Sequence, residues 1–105
     1  MVNCMIDKAT AITTIMNRLK KLPTGHAIDL RTYKRNRSVL IARVGNDEFD
    51  VVERGFEEAR FLVSRDKLKK LLKMLMKREF PRSTKIRLYD LGEYSADIHL
   101  QRKTL

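Results

Sequence analysis

Residues 64 to 80 read SRDKLKKLLKMLMKREF, and they form the clearest amphipathic helix in the chain. Four leucines recur at the i, i+3, i+4, i+7 spacing that places side chains on one stripe of a helix: Leu68, Leu71, Leu72 and Leu75. Ser64 is a suitable N-cap, and Pro81 prevents the helix from continuing past Phe80. The segment therefore predicts a helix whose start and end are both indicated by the sequence.

The rest of this helix is strongly basic. Its circumference away from the leucines carries Lys67, Lys69, Lys70, Lys73, Lys77 and Arg78. A helix that is apolar on one side and cationic on the other packs one face on a core and offers the other to solvent or to an anion. This asymmetry is the main indication of function.

The remaining elements follow from hydrophobic periodicity. A second amphipathic helix is predicted over residues 7–22, with Asp7 as its N-cap and Pro23 beyond its end. Alternation with a period of two predicts strands at residues 26–33, 38–44, 48–54, 56–63, 85–89 and 94–100. The last two are joined by a turn at residues 91–93, and residues 39–42 are apolar on both faces, which indicates an interior strand.

The predicted fold class is α+β, with the element order α-β-β-β-β-α-β-β. Short connections require mainly antiparallel pairing, and two amphipathic helices need one sheet face to cover them. We expect a single compact domain over residues 1–105, with residues 1–6 and 102–105 frayed.

Composition limits the class of partner. The chain of 105 residues has a formal net charge of +10, which favours a polyanion, with nucleic acid first and an anionic membrane surface second. Solubility alone is the alternative explanation of this charge. Cys4 is the only cysteine, and no apolar run is long enough for a signal peptide or a membrane span, so we expect a soluble cytoplasmic protein without a membrane partner. His26 and His99 have no metal-ligand spacing, and neither a metal nor a cofactor is predicted.

Charge is distributed unevenly along the chain. Acidic residues cluster between positions 47 and 58, whereas ten basic residues fall between positions 65 and 87 against only Asp66 and Glu79. This surplus exceeds what local pairing can neutralise, so we expect a surface that contacts phosphate oxygens without reading sequence. Its predicted basic residues are Lys34, Arg35, Arg37, Lys69, Lys70, Lys73, Lys77, Lys85 and Arg87.

Aromatic residues bear on whether the nucleic acid is single-stranded. Tyr33 shares a strand face with Arg31, and Tyr89 shares one with Lys85 and Arg87, so both rings could stack on bases. Filling space at a strand edge is the alternative role of these tyrosines. The four phenylalanines, Phe49, Phe56, Phe61 and Phe80, are predicted to pack in the core.

Two features suggest self-association. Met74 and Met76 are placed at a helix surface or a dimer seam, and residues 39–42 are apolar on both faces. We therefore predict a two-fold homodimer.

Residues 60–72, RFLVSRDKLKKLL, resemble the strand-to-helix junction of the positive-cofactor-four family of single-stranded-DNA-binding coactivators. Those proteins are sheet-plus-helix dimers, so the resemblance implies a sheet-based binder of single strands. The first predicted helix and the last predicted hairpin depart from the simpler element order of that family.

Catalytic signatures are missing from the sequence. There is no Gly-rich phosphate loop, no nucleophile elbow and no cysteine close in sequence to a base, so we expect no enzyme. Two function classes stay open. The first is a small non-catalytic nucleic-acid-binding protein, with single-stranded DNA or RNA among its candidate ligands, or a regulatory protein. The second is a protein-interaction module that docks an acidic partner or a second copy of itself.

Overall fold

The computed structural model describes residues 2–32 and 36–94. Within these ranges the chain forms six strands and two α-helices, in the order β1 (Val2–Asp7), α1 (Ala11–Lys21), β2 (His26–Arg31), β3 (Ser38–Arg43), β4 (Glu48–Arg54), β5 (Glu58–Ser64), α2 (Arg65–Glu79) and β6 (Lys85–Glu93). A 3-10 turn (Lys8–Thr10) joins β1 to α1. The predicted α+β class is confirmed.

The strands form one sheet in the spatial order β1-β6-β2-β3-β4-β5, and every neighbouring pair is antiparallel. β3 lies in the interior of this sheet, as the apolar run of residues 39–42 predicted. β1 and β5 are the two edges.

Both helices cover the same face of the sheet. Leu68, Leu72 and Leu75 of α2 are fully buried and join Ile15 and Leu19 of α1 in one hydrophobic core. The sheet contributes its alternate residues to that core: Ile28, Leu30, Val39, Ile41, Phe49, Val51, Ile86 and Leu88. Because successive side chains of a strand point to opposite faces, the residues between these positions lie on the side away from the helices, which we call the distal sheet face.

The expectation of a frayed N-terminus is wrong for residues 2–6, which belong to β1. This strand pairs with β6 and places Cys4 opposite Leu88 and Ile6 opposite Ile86, so that both side chains pack against the core. Asp7 is the last residue of β1, and its carboxylate binds Lys85 at 2.6 Å instead of capping a helix. β1 covers the edge of β6, although these are the first and the last of the described strands.

The predicted turn at residues 91–93 is also wrong. β6 continues through this segment to Glu93, with a register shift against β2 between Ala27 and Ile28. Gly92 has a φ of +69°, and its N–H donates to the Asp90 carboxylate at 3.0 Å, so the irregularity is a bulge within the strand. Residues 95–100 of the predicted final strand and the predicted frayed tail, residues 102–105, lie outside the described residues.

Two predictions about individual side chains need correction. Phe56 was expected in the core but is 65% exposed, because it follows Gly55 in the turn between β4 and β5. Met76 was expected on a surface but is buried, since its position on α2 faces the sheet. Ser64 does occupy the N-cap position of α2, without a hydrogen bond from its hydroxyl to the helix.

Candidate nucleic-acid interface

Four of the predicted phosphate contacts lie together on α2. Lys69, Lys70, Lys73 and Lys77, which we call the lysine face, are all exposed. At 3.6 residues per turn they fall within about 100° of the helix circumference and extend over about 12 Å of its axis. Within residues 2–32 and 36–94 none of the four makes an ion pair. The lysine face is therefore a row of charges that the described part of the chain leaves unneutralised.

The rest of the helical layer reinforces this charge. Exposed lysines also occur at Lys67 of α2 and at Lys20 and Lys21 of α1, which packs against α2. The two helices contain only two acidic residues, of which Asp66 is exposed and Glu79 is buried. The charge on the outer surface of the helical layer is thus almost entirely positive.

Three basic residues on the distal sheet face, Arg31, Arg60 and Lys85, are arranged differently, because each pairs with a carboxylate. Arg60 binds Asp50 with both its Nε and its Nη2 atoms, the former at 2.8 Å. Arg31 Nε donates to Asp29 Oδ2 at 2.7 Å. Both aspartates are buried, and burial raises the pKa of Asp29 although the hydrogen bond from Arg31 opposes this rise. The Arg60–Asp50 pair joins β5 to β4, whereas Arg31 and Asp29 pair within β2, and both arginines have their charge engaged by a buried carboxylate.

Three residues predicted for the same surface as the lysines lie on this distal face. Ile86 and Leu88 point to the core, so Lys85, Arg87 and Tyr89 point away from the helices. Lys85 is paired with Asp7, and the Arg31 guanidinium lies over the Tyr89 ring at 5.0 Å from its centroid. The structure therefore separates the predicted stacking ring from the lysine face by the thickness of the sheet.

Arg37 lies apart from both groups. It approaches the C-terminal end of α2, where its Nη1 donates to the Glu79 carbonyl at 3.4 Å and its Nε lies 4.0 Å from Glu79 Oε1. Tyr33, Lys34 and Arg35 of the predicted site lie outside the described residues.

A buried pair of glutamates fixes this end of α2 to β4, and sequence reasoning missed it. Glu53 and Glu79 are 0% and 1% exposed. Arg78 donates to Glu53 through Nε at 2.8 Å and Nη2 at 2.6 Å. The Glu79 carboxylate accepts the backbone N–H groups of Phe56 at 2.8 Å and Glu57 at 3.2 Å. The acidic run at residues 47–58 gave no indication of which carboxylate turns inward.

The two glutamates have opposite pKa shifts. Burial raises the pKa of Glu53, against the opposing hydrogen bond from Arg78. Burial alone would also raise the pKa of Glu79, but hydrogen bonds from Glu53 and from the two backbone N–H groups outweigh it and lower this pKa. A proton on Glu53 that points to the Glu79 carboxylate accounts for both directions.

No helix in residues 2–32 and 36–94 has the length and apolarity needed to cross a membrane. In the same ranges no three His, Cys, Asp or Glu side chains converge to hold a metal ion.

The chain matches no protein-family model, and comparisons with curated proteins and with solved structures find no significant similarity. The single-strand binding implied by the resemblance of residues 60–72 to the positive-cofactor-four junction thus stays a prediction. The described structure does place a strand-to-helix junction there, since β5 leads directly into α2.

Proposed function

We propose that this protein is a small, non-catalytic nucleic-acid-binding or regulatory protein, and that the lysine face of α2 contacts the phosphate backbone. One observation carries the proposal. Lys69, Lys70, Lys73 and Lys77 share one exposed face and are unpaired within the described residues, whereas Arg31 and Arg60 of the sheet are paired with carboxylates.

The mode of binding follows from the chemistry of lysine. An ammonium group is a point charge on a flexible stem, so it neutralises phosphates without the fixed geometry that reads base edges. The lysine face extends over about 12 Å, compared with about 3.4 Å per phosphate along one strand of a duplex, so several contacts can form at once. Affinity should fall steeply with salt, because each contact releases condensed counterions, and sequence preference should be small.

Salt-dependent binding to oligonucleotides tests the proposal. Affinity for single-stranded and double-stranded DNA and RNA is measured at several salt concentrations by fluorescence anisotropy. Replacing Lys70 and Lys73 together with Ala should reduce the slope of log affinity against log salt by about 1.8 on duplex DNA and about 1.4 on a single strand.

The matched control removes two positive charges from the distal sheet face. Arg54 and Lys85 are both exposed there, and the double variant Arg54→Ala with Lys85→Ala should leave the slope unchanged. Equal slopes for the wild type and the Lys70, Lys73 variant would reject the lysine face as the binding surface. A folded wild type that binds no nucleic acid at low salt would reject the whole proposal and favour an acidic protein partner.

The predicted homodimer is a separate prediction, which sedimentation equilibrium can test.

A further inference from the structure

A basic cleft lies at the C-terminal end of α2. It has a volume of about 650 Å³, and its lining includes Arg37, Arg78, Arg82 and Phe56. The cleft is built by the end of α2, the segment that follows it, the β4–β5 turn and the segment before β3. Pockets of this size commonly hold small organic ligands.

The arginines of the cleft are engaged to different degrees. The cleft is lined by three guanidinium groups, those of Arg37, Arg78 and Arg82, and by the buried carboxyl group of Glu79. Arg78 is engaged by Glu53 and lies 3.8 Å from Glu57 Oε1. Arg37 makes only long contacts to Glu79, at 3.4 Å and 4.0 Å. Arg82 is exposed and makes no ion pair with the described residues. Two guanidinium groups, those of Arg37 and Arg82, are therefore available to an anion.

The cleft also has an aromatic wall. Phe56 is 65% exposed, and the Arg37 guanidinium carbon lies 6.0 Å from the centre of its ring. An exposed ring next to a guanidinium offers a stacking surface for a flat heterocycle beside a binding group for phosphate. The backbone at Phe56 is held in place, because the N–H groups of Phe56 and Glu57 donate to the buried Glu79 carboxylate.

We propose that this cleft binds a nucleoside monophosphate, either free or at the phosphorylated end of a nucleic-acid strand. The phosphate binds Arg37 and Arg82, and the base stacks on Phe56. A peptide carboxylate would match the arginines less well, since it carries less negative charge than a phosphomonoester. It would also provide no base to stack on the Phe56 ring. The proposal does not rest on the lysine face, because a mononucleotide fits the cleft without contacting Lys69, Lys70 or Lys73.

Calorimetric titration of the full chain with adenosine 5′-monophosphate (AMP), adenosine and inorganic phosphate tests this site. AMP should bind more tightly than either of its two parts. Arg82→Ala should weaken AMP binding by about tenfold, as expected for the loss of a charged hydrogen-bond donor. Phe56→Leu should weaken AMP binding by roughly tenfold through the lost stacking and leave phosphate binding unchanged.

Both side chains are exposed, so both variants should fold, which circular dichroism and thermal melting verify. Arg54→Ala is the matched control, because Arg54 is an exposed arginine on the distal sheet face, and it should bind AMP as the wild type does. A short 5′-phosphorylated oligonucleotide distinguishes the two sources: tighter binding than AMP identifies a strand end, and equal or weaker binding identifies a free nucleotide.

AMP that binds no more tightly than phosphate, or that binds equally to Arg82→Ala and the wild type, would overturn the proposal. In that event salt-dependent binding of long oligonucleotides would still support the lysine face. Conversely, a protein that binds AMP but no long oligonucleotide would support the cleft and reject the lysine face. The two proposals can therefore fail separately.

Discussion

The lysine face of α2 and the distal sheet face are both rich in charge, yet they use it in different ways. On the distal face Arg31 and Arg60 each hold a buried aspartate, whereas the four lysines of α2 pair with no described residue. The residue types suit these roles: the planar fork of Arg matches a carboxylate, and a hydrated Lys ammonium stays in solvent at little cost. The comparison shows that unpaired positive charge, part of the net charge of +10, is concentrated on the exposed side of α2.

The largest expected effect is on the distal face. Arg60→Ala should lower the free energy of unfolding by about 3 kcal/mol, because it removes the guanidinium that binds the buried Asp50 carboxylate. Lys73→Ala removes an exposed charge from α2 and should change stability by about 0.5 kcal/mol or less. Urea denaturation measures both. Similar losses in the two variants would remove the distinction between paired and unpaired charge.

The second-largest effect on stability is expected at Gly55, which lies against the buried Glu79. A Cβ added at Gly55 would run into Glu79 Oε1 and would lie 2.8 Å from Arg37 Cγ. Gly55→Ala should therefore destabilise the protein by about 1 to 3 kcal/mol, as overpacking does. Gly45→Ala is the control, since the added Cβ there meets only the exposed Glu48 side chain, at 3.2 Å. Thermal melts that shift equally in both variants would contradict the close approach at Gly55.

A smaller effect should appear as a pH dependence. The raised pKa of Glu53 means that the folded state keeps a proton that the unfolded chain releases above the ordinary value of 4.5. The free energy of unfolding should therefore fall as the pH rises from 4.5 toward the raised pKa of Glu53. Glu53→Gln carries a permanent N–H donor for Glu79 and does not titrate, so the variant should lose less stability over this window.

Chemical denaturation at a series of pH values, from mildly acidic to neutral, compares Glu53→Gln with the wild type. The raised pKa of Asp29 contributes to both proteins in the same direction and cancels in the difference. Parallel curves for the two proteins would show that Glu53 holds no extra proton in the folded state.

The smallest effect is expected at Tyr89. Arg31 lies over its ring, and the ring is on the side of the sheet away from α2. Tyr89→Ala should therefore leave the affinity for a single strand bound to the lysine face unchanged. A loss on the order of 1 to 3 kcal/mol in anisotropy titrations would indicate that bases stack on the distal face instead.

The sequence by itself determined the elements whose signals are local. The leucine spacing of α2, with Ser64 before it and Pro81 after it, predicted a helix within a residue or two of Arg65–Glu79, and the alternation around Phe49 and Val51 predicted β4 at its observed bounds. The exposed lysines were also predictable, because a core that takes the leucine stripe leaves the opposite side of the helix to solvent.

Only the tertiary structure decided the features that depend on distant residues. β1 forms because β6 offers an edge to Cys4 and Ile6, and Phe56 is exposed because Gly55 and the buried Glu79 fix the turn before it. The separation of Tyr89 from the lysine face likewise depends on which sheet face the helices cover. Periodicity reveals that an element has two unlike sides, but the chain segment that covers each side is selected by packing across the whole fold.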